Sequence, residues 1–455
     1  MRVSLVQPRH NHASEDPTKP GHIYSNTSLW TAGSQLIQAG LDVDFHDENI
    51  RPAEPQSDVV GFNIVGPPYI PVIAERIRSI SRDQRILLGG QTLRGLVTED
   101  KLTGRATKRV IFDMLFGKET IYGNSSLDTS HALGMPSFPL AKATSLIPAY
   151  ERVPPEDMKL YLEREMSFYL SQGCKYNCDF CQAQKNLPEE YREGDVLKKD
   201  LNWLFTRAEQ FGIPRLEMYL SNLDLFQRPH QLVQFANIVL DVRANHPEVT
   251  LGMRGLATVA EMDRQTRQPH AKAAVEQMVC AGLHTVGFGV DGWGAKHWEA
   301  VQKGHNTEET CMEAIRRTRE EFGMTPEILM VFGDKNDTTE NLEAAFNITE
   351  QMVLRYSAIP RPHVAKSLHW QGKEMRGRLK ILLENPEYFQ AFDFTALPSA
   401  LSHPDPKQRA QVRKNFIKMT QLPGNTTPLI YPYSPEFGDA RNALHRLWNL
   451  WKFDR

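Results

Sequence analysis

The sequence predicts an α/β protein in three parts: a Rossmann-like doubly wound domain, a (β/α)6-type partial TIM barrel, and a helical C-terminal region. Three observations carry this. Over the first 120 or so residues, short apolar runs alternate with stretches of helical periodicity. From about residue 165 the alternation resumes with six further runs, and the last 80 or so residues read mostly as helix. Strands separated by helices pair in parallel through right-handed crossovers. The expected boundaries are 1–125, a linker at 126–160, the barrel at 161–366 and the helical region at 367–455.

In the first part the strand candidates are VSLVQ (3–7), LDVDF (41–45), DVVGFNIV (58–65) and RILLGG (85–90), with helices at 27–39 and near 70–80. Residues 121–160 lose the rhythm in GNSSLDTS and scattered prolines, which reads as a linker or a surface strap. The barrel strands are SFYLSQ (167–172), RLEMYLS (215–221), VTLGMRG (249–255), HTVGFGV (284–290), EILMVFG (327–333) and SAIPRPHVA (357–365), with helices at 228–244, 306–321 and 339–355 among those between them. Function in such barrels gathers at the strands' C-terminal edge. Helices at 406–419 and 440–453 follow, the second with Trp448 and Trp451 on one face, packed on the barrel.

Hydrophobic residues make up 40% and charged residues 24% of 455, a globular composition. Net charge is −2 with the signs interspersed, so no field draws in nucleic acid or anionic lipid. No apolar stretch is long enough for a membrane span, and the N-terminal run is too short for a signal-peptide core. Five cysteines, three of them within eight residues, point to a reducing, cytoplasmic setting and a metal or cluster site rather than disulfides.

Cys174, Cys178 and Cys181 form CxxxCxxC directly after the first barrel strand. Three thiolates on a short loop reach three corners of a cubane cluster, which needs four cysteines for full ligation. No fourth lies nearby, so one iron stays open, as catalytic metal sites require. The competing reading is a structural zinc site, which usually takes four ligands in paired spacing. Cys280 and Cys311 fall in expected helices and read as small buried hydrophobes.

This spacing, with the aromatic Phe180 before the last cysteine, resembles the radical S-adenosylmethionine (SAM) superfamily, and the resemblance runs over about 170–335. It implies a [4Fe–4S] cluster on Cys174, Cys178 and Cys181 whose open iron chelates SAM. One electron then cleaves SAM to methionine and a 5′-deoxyadenosyl radical, which abstracts hydrogen from a small-molecule substrate. A flavodoxin or ferredoxin would supply the electron. The turn Tyr219–Asp224 resembles the variant of cobalamin-type members and implies SAM contacts from Ser221, Asn222 and Asp224. Arg254 matches an arginine that would clamp the SAM carboxylate, with a salt bridge within the barrel as the alternative. In the stretch 278–292, Gly287 and Gly289 would let SAM approach, with Asp291 in the place of a glutamate. Lys303-Gly304 reads as a turn with a solvated lysine, Thr338 or Thr339 as a helix cap, and Asp334 as structural first, with a ligand-facing role as the alternative. Tyr176, His363, His369 and Trp370 are substrate-site candidates by position.

The first domain resembles the cobalamin-binding domain that precedes the barrel in one radical SAM subgroup, through LVQP (5–8), DVVGFNIVGPP (58–68), LLGGQT (87–92) and FGKET (116–120). These read as loops at strand C-termini, where Gly66, Gly89, Gly90, Gln91 and Thr92 would border the corrin or its nucleotide tail. The family's Asp-x-His-x-x-Gly motif is absent; Asp44-Phe45-His46 comes nearest, with Asn49 at the glycine place. Three readings stand: a cobalamin-dependent radical SAM methyltransferase, a radical SAM cyclase or mutase or other radical enzyme without methyl transfer, and a non-catalytic iron–sulfur or zinc module.

Overall fold

The computed structural model describes residues 1–9, 25–64, 73, 76–81, 83–90, 120–122, 133, 141–178, 181, 188–365, 403 and 405–425. Phe180, Gly66, Gln91, Thr92, residues 116–119, His369, Trp370 and the expected helix at 440–453 with its two tryptophans lie outside them. The described residues fall into two compact units, one within Met1–Arg164 and one from Glu165 onward.

In the first unit the four apolar runs form β1 (Arg2–Gln7), β2 (Asp42–Asp47), β3 (Val59–Asn63) and β4 (Arg85–Gly89), joined by β5 (Thr120–Tyr122). All pair in parallel in the order β2-β1-β3-β4-β5. β3 is buried at every position, as a central parallel strand covered on both faces should be. Thr120 opens β5, so FGKET leads into a strand instead of following one. The helix α1 (Thr27–Gln38) is capped by Asn26, whose Oδ1 accepts from Leu29 N at 3.2 Å. It packs Leu29 and Leu36 on Val3, Leu5 and Val59.

The stretch expected as a linker carries, in its described part, α2 (Ile147–Tyr150), while α3 (Pro155–Leu162) runs past its end. Tyr150 and Tyr161 meet Trp30 of α1 edge-on, at 5.2 and 5.3 Å. The prolines that read as breakers sit at the first turn of each helix, where a missing N–H costs nothing.

In the second unit six parallel strands lie side by side in chain order: β6 (Glu165–Tyr169), β9 (Arg215–Ser221), β10 (Thr250–Ala257), β11 (Leu283–Gly289), β12 (Thr325–Phe332) and β13 (Ile359–Val364). Among the described residues nothing pairs β6 with β13, so the barrel is partial and open. The run SFYLSQ splits: β6 ends at Tyr169, and β7 (Ser171–Gln172) turns away to pair antiparallel with β8 (Glu190–Tyr191). The crossovers are α4 (Gly194–Gln210), α5 (Pro229–Asn245), α6 (Val259–Thr266) with α7 (Pro269–Ala281), α8 (Ala295–Ala300) with α9 (Glu308–Glu320), and α10 (Thr339–Tyr356). After β13 comes α11 (Pro406–Thr420), packed on α10 and β13.

The strands are two-faced. Leu216, Met218 and Leu220 of β9 are buried, while Glu217, Tyr219 and Ser221 between them are partly exposed; β13 alternates likewise, as do β10 and β12 over their C-terminal halves. The second face carries Arg254, Glu327 and Arg361 beside apolar residues such as Leu256 and Leu329. Among the described residues no helix is long and apolar enough to cross a membrane.

Candidate functional site

The cysteine loop begins where β7 ends. Gly173 has φ +92°, and a Cβ there would lie 2.5 Å from the Pro188 carbonyl, so glycine is required just before Cys174. Cys174, Cys178 and Cys181 are all partly buried free thiols. Burial pushes the Cys174 thiol up to about 11, with Asp224 and the other two cysteines adding to the rise. Burial also raises Cys178, against a pull downward from Lys303. The three sulfurs therefore sit within electrostatic reach of one another, at the C-terminal edge of the first barrel strand. Among the described residues no three His, Cys, Asp or Glu side chains converge on a single ion site. Three thiols on one loop offer three of the four corners of a cubane, whereas a structural zinc usually takes four ligands. Cys311 is buried as expected, whereas Cys280 is exposed on α7.

Around the loop the strand-end turns interlock. Asn222 is buried, and its backbone N donates to Leu220 O at 3.0 Å in the turn after β9. Asp224 is fully buried and accepts from Thr258 N at 3.1 Å and Thr258 Oγ1 at 2.9 Å. Burial pushes its carboxyl up to about 7. Ser221 ends β9, partly exposed. Glu189 accepts from Ser171 Oγ at 2.6 Å through one oxygen, its other oxygen has no partner, and burial raises it to about 8. Glu261 is held below its usual range although burial alone would raise it, because Lys175, Tyr176 and Arg264 all donate to it.

The expected SAM residues find their neighbours within the protein. β10 runs two residues beyond Gly255, so Arg254 lies mid-strand and not at the strand's end. Its guanidinium grips both oxygens of Glu165, with Nη2 at 2.6 Å, approaches Glu327 at 3.7 Å and covers the Tyr219 ring at 4.7 Å. Glu327 accepts in turn from Arg361 at 2.9 Å. A Cβ on Gly287 would meet Leu256 and Leu329 at 2.8 Å, and one on Gly289 would meet Asp291 and Lys303 at 2.9 Å. Asp291 pairs with Lys303, and that lysine's side chain is only 4% exposed. The solvated lysine expected from sequence is thus a buried partner, in a position no local pattern marks. Asp334 accepts from Asn336 N at 2.8 Å within its own turn, and Thr338 caps α10. His297 and Asp337 form a second buried pair at 2.8 Å, also missed by sequence reading.

In the first unit Gly89 ends β4. Gly90 has φ +114°, and a Cβ there would lie 2.4 Å from Ile64 O. His46 lies on β2, 3.3 Å from Asp44.

No family model matches the chain, and no curated protein matches it by sequence. Solved structures do. The radical SAM methyltransferase TsrM from Kitasatospora setae, with cobalamin and a [4Fe–4S] cluster bound, superposes with a TM-score of 0.56 at 16% identity, over 79% of this chain and 71% of that one. This chain has the fold of cobalamin-dependent radical SAM enzymes. TsrM with its tryptophan substrate and a SAM analogue gives 0.56 at 16% identity, over 80% and 73% of the two chains. The cobalamin-dependent radical SAM enzyme OxsB, with aqua-cobalamin and SAM bound, gives 0.53 at 15% identity, over 86% of this chain and 56% of its own.

Proposed function

We propose that this chain is a radical SAM enzyme whose Cys174, Cys178 and Cys181 hold a [4Fe–4S] cluster, acting with cobalamin to methylate a carbon of a small metabolite. One observation carries the reading: three thiols on one braced loop, at the C-terminal edge of the first strand of an open parallel barrel, with the other two cysteines on α7 and α9. When bound, the cluster supplies the electron that cleaves SAM reductively. The chain's own residues would do the rest. Cys174, Cys178 and Cys181 would hold the cluster and leave one iron open to SAM. Lys303 and its partner Asp291 act on Cys178 in opposite directions, the lysine favouring the thiolate and the carboxylate opposing it. Ser221, Asn222, Asp224, Gly287, Gly289 and Asp291 would shape the SAM pocket by setting the turns, and Gly89 and Gly90 would edge the cobalamin. An electron donor such as flavodoxin or ferredoxin completes the system.

The second reading is a radical transformation without methyl transfer, which the same cluster site would serve. Anaerobic reconstitution with iron, sulfide, SAM and hydroxocobalamin tests both. A brown protein that releases 5′-deoxyadenosine, retains corrin absorption through desalting and adds 14 mass units to a metabolite of a cell extract supports methylation. Deoxyadenosine without retained corrin moves the assignment to the second reading. Stoichiometric zinc and no SAM cleavage rejects both.

A further inference from the structure

Thr258-Val259-Ala260-Glu261 reads as a capping box, in which the glutamate at the third helical position reaches back to the cap residue's own N–H. Half of that box forms: Thr258 Oγ1 accepts from Glu261 N at 3.3 Å. The other half does not, because Asp224 of the neighbouring turn takes Thr258 N at 3.1 Å. Glu261 is thereby released from its helix start and turns to the cysteine loop.

Its two oxygens divide the work. Oε1 accepts from Tyr176 Oη at 2.6 Å and pairs with Lys175 Nζ, both from within the cysteine loop. Oε2 accepts from Arg264 Nε at 3.0 Å and Gln265 Nε2 at 3.4 Å, both from α6. The Glu261 side chain is 2% exposed, while the Lys175 and Arg264 side chains that pair with it are 44% and 49% exposed. Three further ties of the loop are neutral: Lys175 N to Gln227 Oε1 at 3.3 Å, Asn177 Nδ2 to Gln302 Oε1 at 3.0 Å, and the Tyr176 ring stacked on His305 at 3.8 Å. Among these ties Glu261 supplies the charged one, and it grips the two residues that follow Cys174.

We propose that Glu261 is a positioning residue that holds the cysteine loop in its metal-accepting shape before any iron arrives. This rests on the cluster reading above. Ordering a loop costs backbone entropy at every residue, and a loop fixed in advance does not charge that cost to metal binding. A Gln at 261 keeps the shape but cannot accept from both sides, and it leaves Lys175 without its counter-ion.

The test reads the loop with and without metal. In the metal-free full chain, amide hydrogen exchange over 171–178 should speed up about tenfold in Glu261→Gln, the size expected for losing a charged hydrogen bond, while exchange in α7 and α10 stays at the wild-type rate. After anaerobic reconstitution, the same variant should lose iron to a chelator about tenfold faster than wild type. A Lys175→Met/Tyr176→Phe double variant strips only the loop side of the bracket and should shift both readouts the same way. It carries the test if Glu261→Gln does not fold. Unchanged exchange in the loop overturns the proposal, as does faster exchange with unchanged iron retention. A wild-type chain that takes up no cluster, with exchange still faster in the variants, sinks the cluster reading and upholds Glu261 as the loop's brace.

Discussion

At the ends of β1 and β3 in the first unit the polar groups are neutral amides, while β2 leads into the buried Asp47 and Glu48, the latter paired with Arg76 at 2.7 Å. Asn63 Nδ2 donates to Asn26 Oδ1 at 2.9 Å, and Asn26 Nδ2 donates to Gln7. At the strand ends of the barrel charged groups gather near the cysteine loop: Asp224 acts on Cys174, Asp291 and Lys303 act on Cys178, and Glu261 holds Lys175 and Tyr176. Strand order is one root of the difference. In the first sheet β1 sits between β2 and β3, so the chain reverses direction across the sheet there. In the barrel the strands follow chain order, so each successive loop lands beside the last and carboxylates from several turns meet. A neutral amide network loses about one hydrogen bond's worth when one member is cut. A buried charge network loses far more, because the remaining charge is stranded.

That contrast can be tested from its strongest point downward. Replacing Cys174, Cys178 or Cys181 by Ala should abolish 5′-deoxyadenosine formation. Normal SAM cleavage by any of the three would remove that residue from the ligand set. Lys303→Met should strand Asp291 and cost about 3–5 kcal/mol in urea unfolding of the full chain. A cost below about 1 kcal/mol would mean the pair is hydrated in solution. Arg254→Met should destabilise the barrel by roughly 1.5–3 kcal/mol, the range for losing a charged hydrogen-bonded pair. If SAM affinity falls while the unfolding midpoint holds, the arginine faces the cofactor and the Glu165 pair is incidental.

Glu189→Gln probes the buried carboxyl with the unpartnered oxygen. A carboxyl raised to about 8 in the folded chain binds protons that the unfolded chain has released, so wild-type stability should fall as pH rises from about 4.5 to 8. The variant should lack that fall and exceed wild type at pH 9 by on the order of 2 kcal/mol, with no gain at pH 4. Parallel pH profiles would show that the carboxyl titrates normally. The smallest effect belongs to the first sheet: Asn26→Ala removes a helix cap and the centre of the amide network, and should cost about 1 kcal/mol. A loss comparable to that of Lys303→Met would erase the distinction between the two sheets.

Much of this was legible along the chain. Period and run length mark β1–β4, β9–β13 and the long helices, because each short apolar run must be covered by the amphipathic stretch beside it. The cysteine triplet is local in sequence and could be read directly. β5 was missed, being three residues long, and the helices in 141–162 were hidden by prolines that start helices as readily as they break them. Lys303 was misread because burial of a lysine depends on a carboxylate twelve residues away.

The sequence by itself determined the parallel α/β layout and the three thiols on one loop, since hydrophobic period and cysteine spacing act between near neighbours. Only the tertiary structure decided which charges pair: Arg254 with Glu165, Lys303 with Asp291, and Glu261 with the cysteine loop in place of its own cap. Those choices arise where turns from separate strands meet. There a carboxylate takes whichever donor packing brings within reach, and no spacing along the chain encodes which one that is.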